Sequence, residues 1–432
     1  MRISTSLMEQ FGINAILGQQ AKLSKTQLQL STGQRLLTPA DDPSAAVRAL
    51  DLNESLESNR QFQSNIQATR SRLEFEESTL AGADNVLQRA RELTVQSLND
   101  SLSSSDRQAI AKEMQQLLDE TLGLANTRDA NGEYIFAGFR SDAVPFAFDN
   151  SRTPPSYVYQ GDKNQRLLQI GPQRPMADGD SGFAVFENVS SSSGANAIAA
   201  SGGKQSILNT LHSLTQALTG NFTASHSAVL GTQDLSSGID YSGGAVTFDL
   251  AVDGGAADTV SVAAANYASA DDLVTAINAG IGATALSGTV AAQHRAGSIE
   301  FVSATAGATS SVTVSNDSDG VLTDLGFTNP QSSTGADLTF HDAANAALTD
   351  IDAALQNILD TRASVGARLN ALDEQEDLQS RFIVDTQATL SNIQDLDYAE
   401  AISRFNIQQV ALQAAQQAYV KVQGLSLFDY LR

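Results

Sequence analysis

The chain contains neither cysteine nor tryptophan, and only 6% of its 432 residues are aromatic. Without cysteine it cannot form a disulfide, a thiolate nucleophile or a cysteine-ligated metal site. Such a chain is compatible with any redox compartment and suits a protein that is exported unfolded. The shortage of aromatic residues predicts helical pieces with thin cores, although the length alone is enough for about three domains.

Long apolar runs are also missing. No stretch of about 18 apolar residues occurs, so we expect no membrane-spanning helix. Residues 1–25 do not combine a basic start with an apolar stretch, and a cleavable signal peptide is therefore not expected. If the protein leaves the cell, we expect an export route that does not use such a signal.

Positive charge is scarce, because 26 Lys and Arg residues face 49 Asp and Glu residues, which gives a net charge of −23. The charge is also uneven, since residues 1–40 sum to +3 and residues 386–432 sum to −1. The acidic body between these ends disfavours nucleic acid and anionic membranes as partners. The two nearly neutral ends are better suited to close approach by other protein.

Each end of the chain carries a seven-residue apolar repeat, which predicts a helix with one narrow contact stripe. The N-terminal seam consists of Ile16, Leu23, Leu30 and Leu37, with companions three residues earlier at Ile13, Gln20, Gln27 and Gln34. The C-terminal seam consists of Phe405, Leu412 and Tyr419, with companions at Ile402, Gln409 and Gln416.

These terminal seams favour assembly as the first functional hypothesis. Apolar repeats at helical spacing more often form an internal core. Here, however, the companions are mostly glutamine, the charge is low, and the N-terminal seam precedes a break at Pro39–Pro43. We therefore expect each seam to pack against the other end or against neighbouring molecules. Because polar residues at seam positions reduce stability, we expect both terminal helices to be weak or disordered in a lone monomer.

Two internal segments repeat apolar residues at the same spacing and predict the core of a helical bundle. Asp42 followed by Pro43 predicts the start of a long helix, and Ser105 with Gln108 predicts the start of a shorter one. The predicted bundle core consists of Leu52, Ile66, Leu73, Leu80 and Leu87 in the first segment and Ile351, Ile358, Val365 and Leu372 in the second.

The middle of the chain changes character after the Asn131-Gly132 turn. Residues Glu133–Phe139 predict a strand, and residues 161–340 contain 22 of the 31 glycines. We therefore predict an α+β fold in which the N- and C-terminal thirds form an elongated antiparallel helical bundle or coiled coil, with an inserted β-rich region of one or two domains. The predicted segments are residues 1–42 (assembly helix), 43–138 (bundle), 139–230 and 231–340 (inserted β-rich domains), 341–388 (bundle) and 389–432 (assembly helix).

No group of residues predicts catalysis, a cofactor or a metal. The four histidines, His212, His226, His294 and His341, lack metal-ligand spacing. Gly179–Gly182 matches the tetrapeptide around a protease serine, but no histidine arrangement supports it. Ser315–Gly326 resembles a calcium loop, although glycine stands where the bidentate glutamate belongs. We therefore expect a protein that is not an enzyme.

Three stretches resemble the bacterial flagellin family. They are Ser31–Ala46 near the N-terminus, Arg91–Ser97 in the long helix and Ser391–Glu400 near the C-terminus. The resemblance covers about residues 1–138 and 341–432. Within the family, Asn131–Gly138 and the ending Leu425–Leu431 are similar to the members that join the flagellar hook to the filament. Residues 240–327 are similar to β–α–β modules inserted in this superfamily.

This resemblance implies an extracellular structural subunit of the bacterial flagellum. It implies a ring of identical subunits with a hook-associated protein on the hook side and flagellin on the filament side. It also implies flagellar type III export with an uncleaved signal, and an export chaperone that holds the C-terminal seam. Terminal helices that order only on assembly would suit this route. A filament-forming flagellin and a secreted adhesin or hydrolase acting through residues 140–340 remain alternatives.

Overall fold

The structure is a computed structural model that describes residues 5–191, 198–199 and 204–424 of the chain. The predicted α+β class is confirmed, because long helices at both ends of the chain enclose a β-rich middle. The helices are α1 (Thr5–Thr32), α2 (Pro43–Ser97), α3 (Ser104–Ala125), α4 (Ile207–Leu218), α5 (Ala270–Gly282), α6 (Val321–Asp324), α7 (Phe340–Gln394) and α8 (Tyr398–Gly424).

Strands occupy the segment between α3 and α7 and pair almost throughout in antiparallel fashion. They are β1 (Phe146–Asp149), β2 (Ser156–Tyr159), β3 (Leu167–Gly171), β4 (Arg174–Ala177), β5 (Val189–Ser190), β6 (Ile198–Ala199), β7 (Lys204–Gln205), β8 (Ala224–Leu230), β9 (Ile239–Asp240), β10 (Val246–Val252), β11 (Asp258–Val262), β12 (Asn266–Tyr267), β13 (Val290–Arg295), β14 (Ser298–Ala306), β15 (Ser311–Ser315), β16 (Gln331–Thr334) and β17 (Ala336–Asp337).

The chain divides into two compact units, which we call the terminal unit (residues 1–64 and 374–432) and the central unit (residues 65–373). The six segments predicted from sequence stay a prediction. In the terminal unit, α1 packs along α8, and the first part of α2 accompanies the last part of α7. The predicted start of α2 is confirmed, because Asp42 Oδ1 accepts the backbone N–H of Ala45 at 3.0 Å.

The helical part of the central unit forms one apolar core with the first group of strands. In α2 and α7 the buried core residues recur every seven residues, as Ile66, Leu73, Leu80 and Leu87 and as Ile351, Ile358, Val365 and Leu372. Leu52 lies outside this core and is half-buried in the terminal unit. The start of α3 differs from the prediction, since Ser103 and Asp106 form the capping box in place of Ser105 and Gln108.

The predicted strand at Glu133–Phe139 is wrong. Tyr134, Ile135, Phe136 and Ala137 are all buried. Tyr134 forms only an isolated bridge with Arg128, and the next three residues lie in turns and a bend. Their backbone groups bond to loops: the N–H of Ile135 donates to Thr127 and the carbonyl of Phe136 accepts from Gly182. A half-exposed strand alternates buried and exposed side chains, whereas this segment is buried on both sides. The apolar run alone therefore could not distinguish a strand from a buried loop.

The second group of strands forms a separate apolar core within the central unit. One sheet has the order β11-β10-β15-β16 and the other β13-β14-β8-β17, with β6 parallel to β8. Phe248 and Phe301 are fully buried between elements of this core, with ring centroids 5.4 Å apart. The helix α5 packs on β11 and β13 and covers part of the core with Leu273, Ile277 and Ile281.

Candidate assembly surface

The α1–α8 pair in the terminal unit contains the residues that the sequence singled out for assembly. Ile16, Leu23 and Leu30 of α1 and Phe405, Leu412 and Tyr419 of α8 are half-buried. Their seven-residue spacing places each set on one face of its helix. These large side chains form the apolar layers of the intramolecular seam.

Small or polar residues fill the layers between them. On α1 these are Gly12, Gln19 and Thr26, and on α8 they are Ala401, Gln408 and Ala415, all buried or half-buried. A Cβ atom on Gly12 would lie 2.8 Å from Cδ2 of Tyr419, which explains why glycine stands there. The side-chain oxygen of Gln408 is buried and has no hydrogen-bond partner among the described residues. The seam therefore buries little apolar area and leaves one polar atom unsatisfied.

The predicted companion residues lie elsewhere. Ile13, Gln20, Gln27 and Gln34 near α1, and Ile402, Gln409 and Gln416 on α8, are all exposed. The true companions lie four residues before each large seam residue, whereas the sequence reasoning placed them three before. A heptad permits both choices, because its seam positions alternate in steps of three and four. The sequence also repeats small or polar residues at the same seven-residue spacing, but that repeat alone does not decide which side of each helix is covered.

Leu37, which the sequence analysis placed in the N-terminal seam, belongs to a connector and not to the first helix, which ends at Thr32. Gly33 follows with φ +70, the left-handed conformation common after a helix. Leu37 is half-buried, and its N–H donates to Asp41 Oδ2 at 3.1 Å. Lys25 and Asp41 form an ion pair at 2.5 Å, which joins α1 to the connector. The hydrogen bond from Lys25 is the main cause of the lowered pKa of Asp41.

The connector is also held to the end of α7 within the terminal unit. The N–H of Arg35 donates to the carbonyl of Gln394 at 2.7 Å. The N–H of Leu396 donates to the carbonyl of Gly33 at 2.9 Å. The Arg35 guanidinium donates to the carbonyl of Ile393 at 2.7 Å. Residues 33–42 are therefore tied by backbone hydrogen bonds although they form no helix.

Exposed apolar side chains concentrate on the terminal unit. Among the described residues it has fourteen large ones and the central unit has seven, although the central unit is much longer. The fourteen are Phe11, Ile13, Leu17, Leu28, Val47, Leu50, Leu378, Phe382, Val384, Tyr398, Ile402, Ile407, Val410 and Val420. We call them the apolar surface of the terminal unit. A concentration of this kind is typical of a protein-binding surface.

The residues that the sequence analysis considered for chemistry have ordinary structural contacts in the described chain. No three histidine or acidic side chains there could hold one metal ion. Ser181 is buried, and its hydroxyl accepts the N–H of Ala184 at 3.4 Å in a turn. The histidines have separate partners: His226 bonds the carbonyl of Ser303, and His341 pairs with Asp100. None of the described helices has the length and apolarity needed to span a membrane.

Comparisons with known proteins match the helical segments at both ends of the chain, α1 to α3 and most of α7 with α8. The model of the bacterial flagellin N-terminal helical region matches residues 3–141, and that of the flagellin C-terminal helical region matches residues 348–431. Together the two models cover just over half of the chain. The ending Leu425–Leu431, which the sequence reasoning also used, lies outside the described residues.

Individual relatives match to different extents. Flagellar hook-associated protein 3 of Escherichia coli (strain K12) is 26% identical over 99% of this chain and 99% of its own. A flagellin of Clostridium tyrobutyricum is 33% identical, over 28% of this chain and 32% of its own. A crystal structure of flagellar hook-associated protein 3 from Legionella pneumophila is 22% identical, covers 79% of this chain and 98% of its own, and has a TM-score of 0.44.

Proposed function

Because this chain belongs to the bacterial flagellin family, we propose that it is a structural subunit of the flagellum that joins the hook to the filament. The extent of the matches supports the junction role over the filament role. The hook-associated relative aligns along the whole chain, including the inserted strands, whereas the flagellin relative aligns over about a quarter of it. The subunit has no enzymatic role and acts outside the cell.

The apolar surface of the terminal unit is the observation that supports assembly through the terminal helices. Leu17 and Leu28 of α1, and Ile407 and Val410 of α8, are exposed although each could be buried by a neighbouring molecule. Burying such side chains yields roughly 1.5–3 kcal/mol each, which offsets the ordering of the helices. The exposed companions Ile13, Gln20, Gln27, Ile402, Gln409 and Gln416 form part of the same contact.

The partners follow from a junction role. Copies of the chain form a ring, a hook-associated protein contacts its hook side, and flagellin contacts its filament side. Before assembly the chain leaves the cell unfolded through the flagellar type III apparatus. An export chaperone covers the C-terminal seam, which would otherwise expose Phe405, Leu412 and Tyr419 whenever α8 separates from α1.

Charged substitutions on α8 test this proposal. In cells that lack the chromosomal copy, Ile407→Asp with Val410→Asp should reduce the number of attached filaments at least tenfold, because the carboxylates cannot be buried between subunits. Electron microscopy counts the filaments, and immunoblotting of the medium measures export. The matched control is Leu167→Asp with Leu359→Asp, which alters two exposed apolar residues of the central unit.

The outcomes separate the possible roles of this surface. Normal export of the α8 variant, with few filaments and intact hooks, supports the proposal. If the α8 variant has as many attached filaments as the control variant, α8 does not bind a neighbouring subunit through Ile407 and Val410. The filament-forming alternative is tested by seeding the purified chain: growth into long filaments without any other protein would overturn the junction role.

A further inference from the structure

The apolar seam between α2 and α7 does not by itself define how the two helices align. Its large buried residues recur every seven residues on both helices, from Ile66 to Leu87 on α2 and from Ile351 to Leu372 on α7. If one helix moved along the other by seven residues, apolar residues would again face apolar residues in most layers. A regular repeat of this kind discriminates weakly between the native alignment and a shifted one.

Polar contacts beside the seam carry a second seven-residue repeat. Its members on α2 are Gln63, Arg70, Glu77, Asp84 and Arg91. Each of them contacts a side chain of α7, and we call these five contacts the polar ladder. At one end, the amide of Gln63 donates to the hydroxyl of Ser380 at 3.1 Å. In the middle, Arg362 pairs with Glu77 at 2.8 Å and with Asp84 at 3.5 Å.

The two outer ion pairs of the ladder have the opposite polarity to the middle pairs. Arg70 pairs with Asp373 at 2.7 Å, and Arg91 pairs with Asp352 at 2.5 Å, so the cation is on α2. In the middle pairs the cation is on α7. The charges on α2 therefore run plus, minus, minus, plus, and α7 carries the complementary order. Because most of these side chains are partly exposed, their ion pairs contribute little to stability.

A shift of α7 that brought Gln387 to the level of Ser380 would join like charges. Glu77 would then face Asp373, and Arg362 would move from Glu77 towards Arg91. These contacts follow from the seven-residue spacing of the native pairs. Like charges placed opposite each other oppose pairing.

A shift by seven residues in the other direction meets the same obstacle. Asp84 would face Asp352, and Arg362 would move from Asp84 towards Arg70. Both neighbouring alignments therefore exchange attractive contacts for repulsive ones, although they bury similar apolar layers. The order of the charges, and not their number, distinguishes the native alignment.

We propose that the polar ladder selects the register of α2 against α7 when the chain folds. The apolar seam supplies the burial, and the ladder determines the alignment. The ladder requires only the two helices. Other contacts that position α7 also require the inserted segment, as when the amide of Asn357 donates to the carbonyls of Ala184 and Val185, both at 2.8 Å. The ladder can therefore act as soon as the helices meet.

Introduced cysteines can report the alignment, because the chain contains no cysteine of its own. Gln63→Cys with Ser380→Cys is the native reporter, since these two side chains are in contact. Gln63→Cys with Gln387→Cys is the shifted reporter. The full chain is refolded from urea with an oxidant present, and non-reducing gel electrophoresis separates crosslinked from open chains. With the natural ladder, the native reporter should crosslink and the shifted reporter should give only a trace.

The main variant retains attraction in every ion pair but erases the order of the charges. Its substitutions are Arg70→Glu, Arg91→Glu, Asp352→Arg and Asp373→Arg. All charges of the ladder are then negative on α2 and positive on α7, so shifted alignments also join opposite charges. Its melting temperature should stay close to that of the unaltered chain, whereas the yield of the shifted crosslink should rise roughly tenfold. A role in stability alone predicts no rise in that yield.

The matched control reverses the whole ladder by adding Glu77→Lys, Asp84→Lys and Arg362→Glu to the same four substitutions. Its charges are again ordered and complementary, so the shifted crosslink should fall back to a trace. An equal yield in the control and in the main variant overturns the proposal.

Salt provides a second measurement that needs no charge variant. At about 1 M sodium chloride the screening length is only about 3 Å, so repulsion between exposed charges is weak. The shifted reporter with the natural ladder should then crosslink severalfold more than at low salt. If neither salt nor the main variant raises the shifted yield, the ladder does not select the register.

Discussion

Glu76 is a carboxylic acid inside the central unit, with 1% of its surface exposed. One oxygen accepts the N–H of Asp180 at 3.0 Å, and the other has no hydrogen-bond partner among the described residues. Burial, and next the carboxylate of Asp180, raise the pKa of Glu76 to about 8. The side chain is therefore mostly protonated at neutral pH, and ionising it opposes folding.

Replacing this carboxyl group should alter the pH dependence of stability. Protonated Glu76 contributes to the free energy of unfolding. This contribution is fully present below the unfolded pKa of about 4.5, declines as the pH rises, and is lost once the pH passes the folded pKa of about 8. Glu76→Gln removes this decline, so at pH 8.5 the variant should exceed the unaltered chain in free energy of unfolding by roughly 2 kcal/mol or more. Urea denaturation at pH 6 and pH 8.5 measures the difference.

The control for this measurement is Glu74→Gln, an exposed carboxylate two residues away. Glu74→Gln should shift the urea denaturation curves at pH 6 and at pH 8.5 by the same amount. If the curves of Glu76→Gln and the unaltered chain remain parallel between the two pH values, the buried carboxyl does not titrate as described.

At the scale of the elements, the α1–α8 seam differs from the α2–α7 core although both repeat every seven residues. The central part of α2 and α7 buries leucine, isoleucine and valine in successive turns. The terminal seam alternates its large residues with glycine, alanine, threonine and glutamine. Small residues allow close approach of the two helices but contribute little apolar area, so this pair gains less from packing.

Two glycines of α1 test the seam directly. Gly18 has no heavy atom within 4 Å of a built Cβ, so Gly18→Ala should stabilise α1 by about 0.5–1 kcal/mol through helix propensity alone. At Gly12 the added methyl would meet the ring of Tyr419, and Gly12→Ala should lose that gain or destabilise the pair. Amide hydrogen exchange in residues 10–32 should slow about two- to fivefold in the first variant only. Equal slowing in both variants would contradict the close approach at Gly12.

The elements also show where sequence patterns mislead. Asp42-Pro43 predicted the start of α2 correctly, because a capping aspartate and a proline act locally. The end of α1 was placed too late because the apolar repeat continues to Leu37, whereas Gly33 adopts φ +70 and ends the helix. The strand predicted at Glu133–Phe139 failed because its apolar run is buried by loops on both sides.

At the scale of the whole molecule, the two units differ in how much apolar surface they bury. Among the described residues, the buried apolar side chains of the terminal unit are Ala45, Ala49, Leu56, Leu396 and Ala401. Several of its other buried positions are polar, including Asn59, Gln375, Gln379 and Thr386. The central unit has two extensive apolar cores. A unit with so few buried apolar residues has little to offset its conformational entropy.

Hydrogen exchange on the dilute monomer tests this difference. Amides of α1 and α8 should exchange at least a hundredfold faster than those of α2 between residues 66 and 93, because local opening of a weak unit precedes global unfolding. In assembled junctions the terminal helices should become protected, since neighbours then cover the apolar surface of the terminal unit. Strong protection of α1 and α8 in the monomer would refute assembly-coupled ordering.

The sequence by itself determined the α+β class, the helical ends and the family, because heptad spacing, capping residues and family motifs are local properties of the chain. Only the tertiary structure decided which side of each terminal helix is covered. Steps of three and four are equally compatible with a heptad, so the small residues Gly12, Thr26 and Ala415 could be recognised as the inner face only once α1 and α8 were paired.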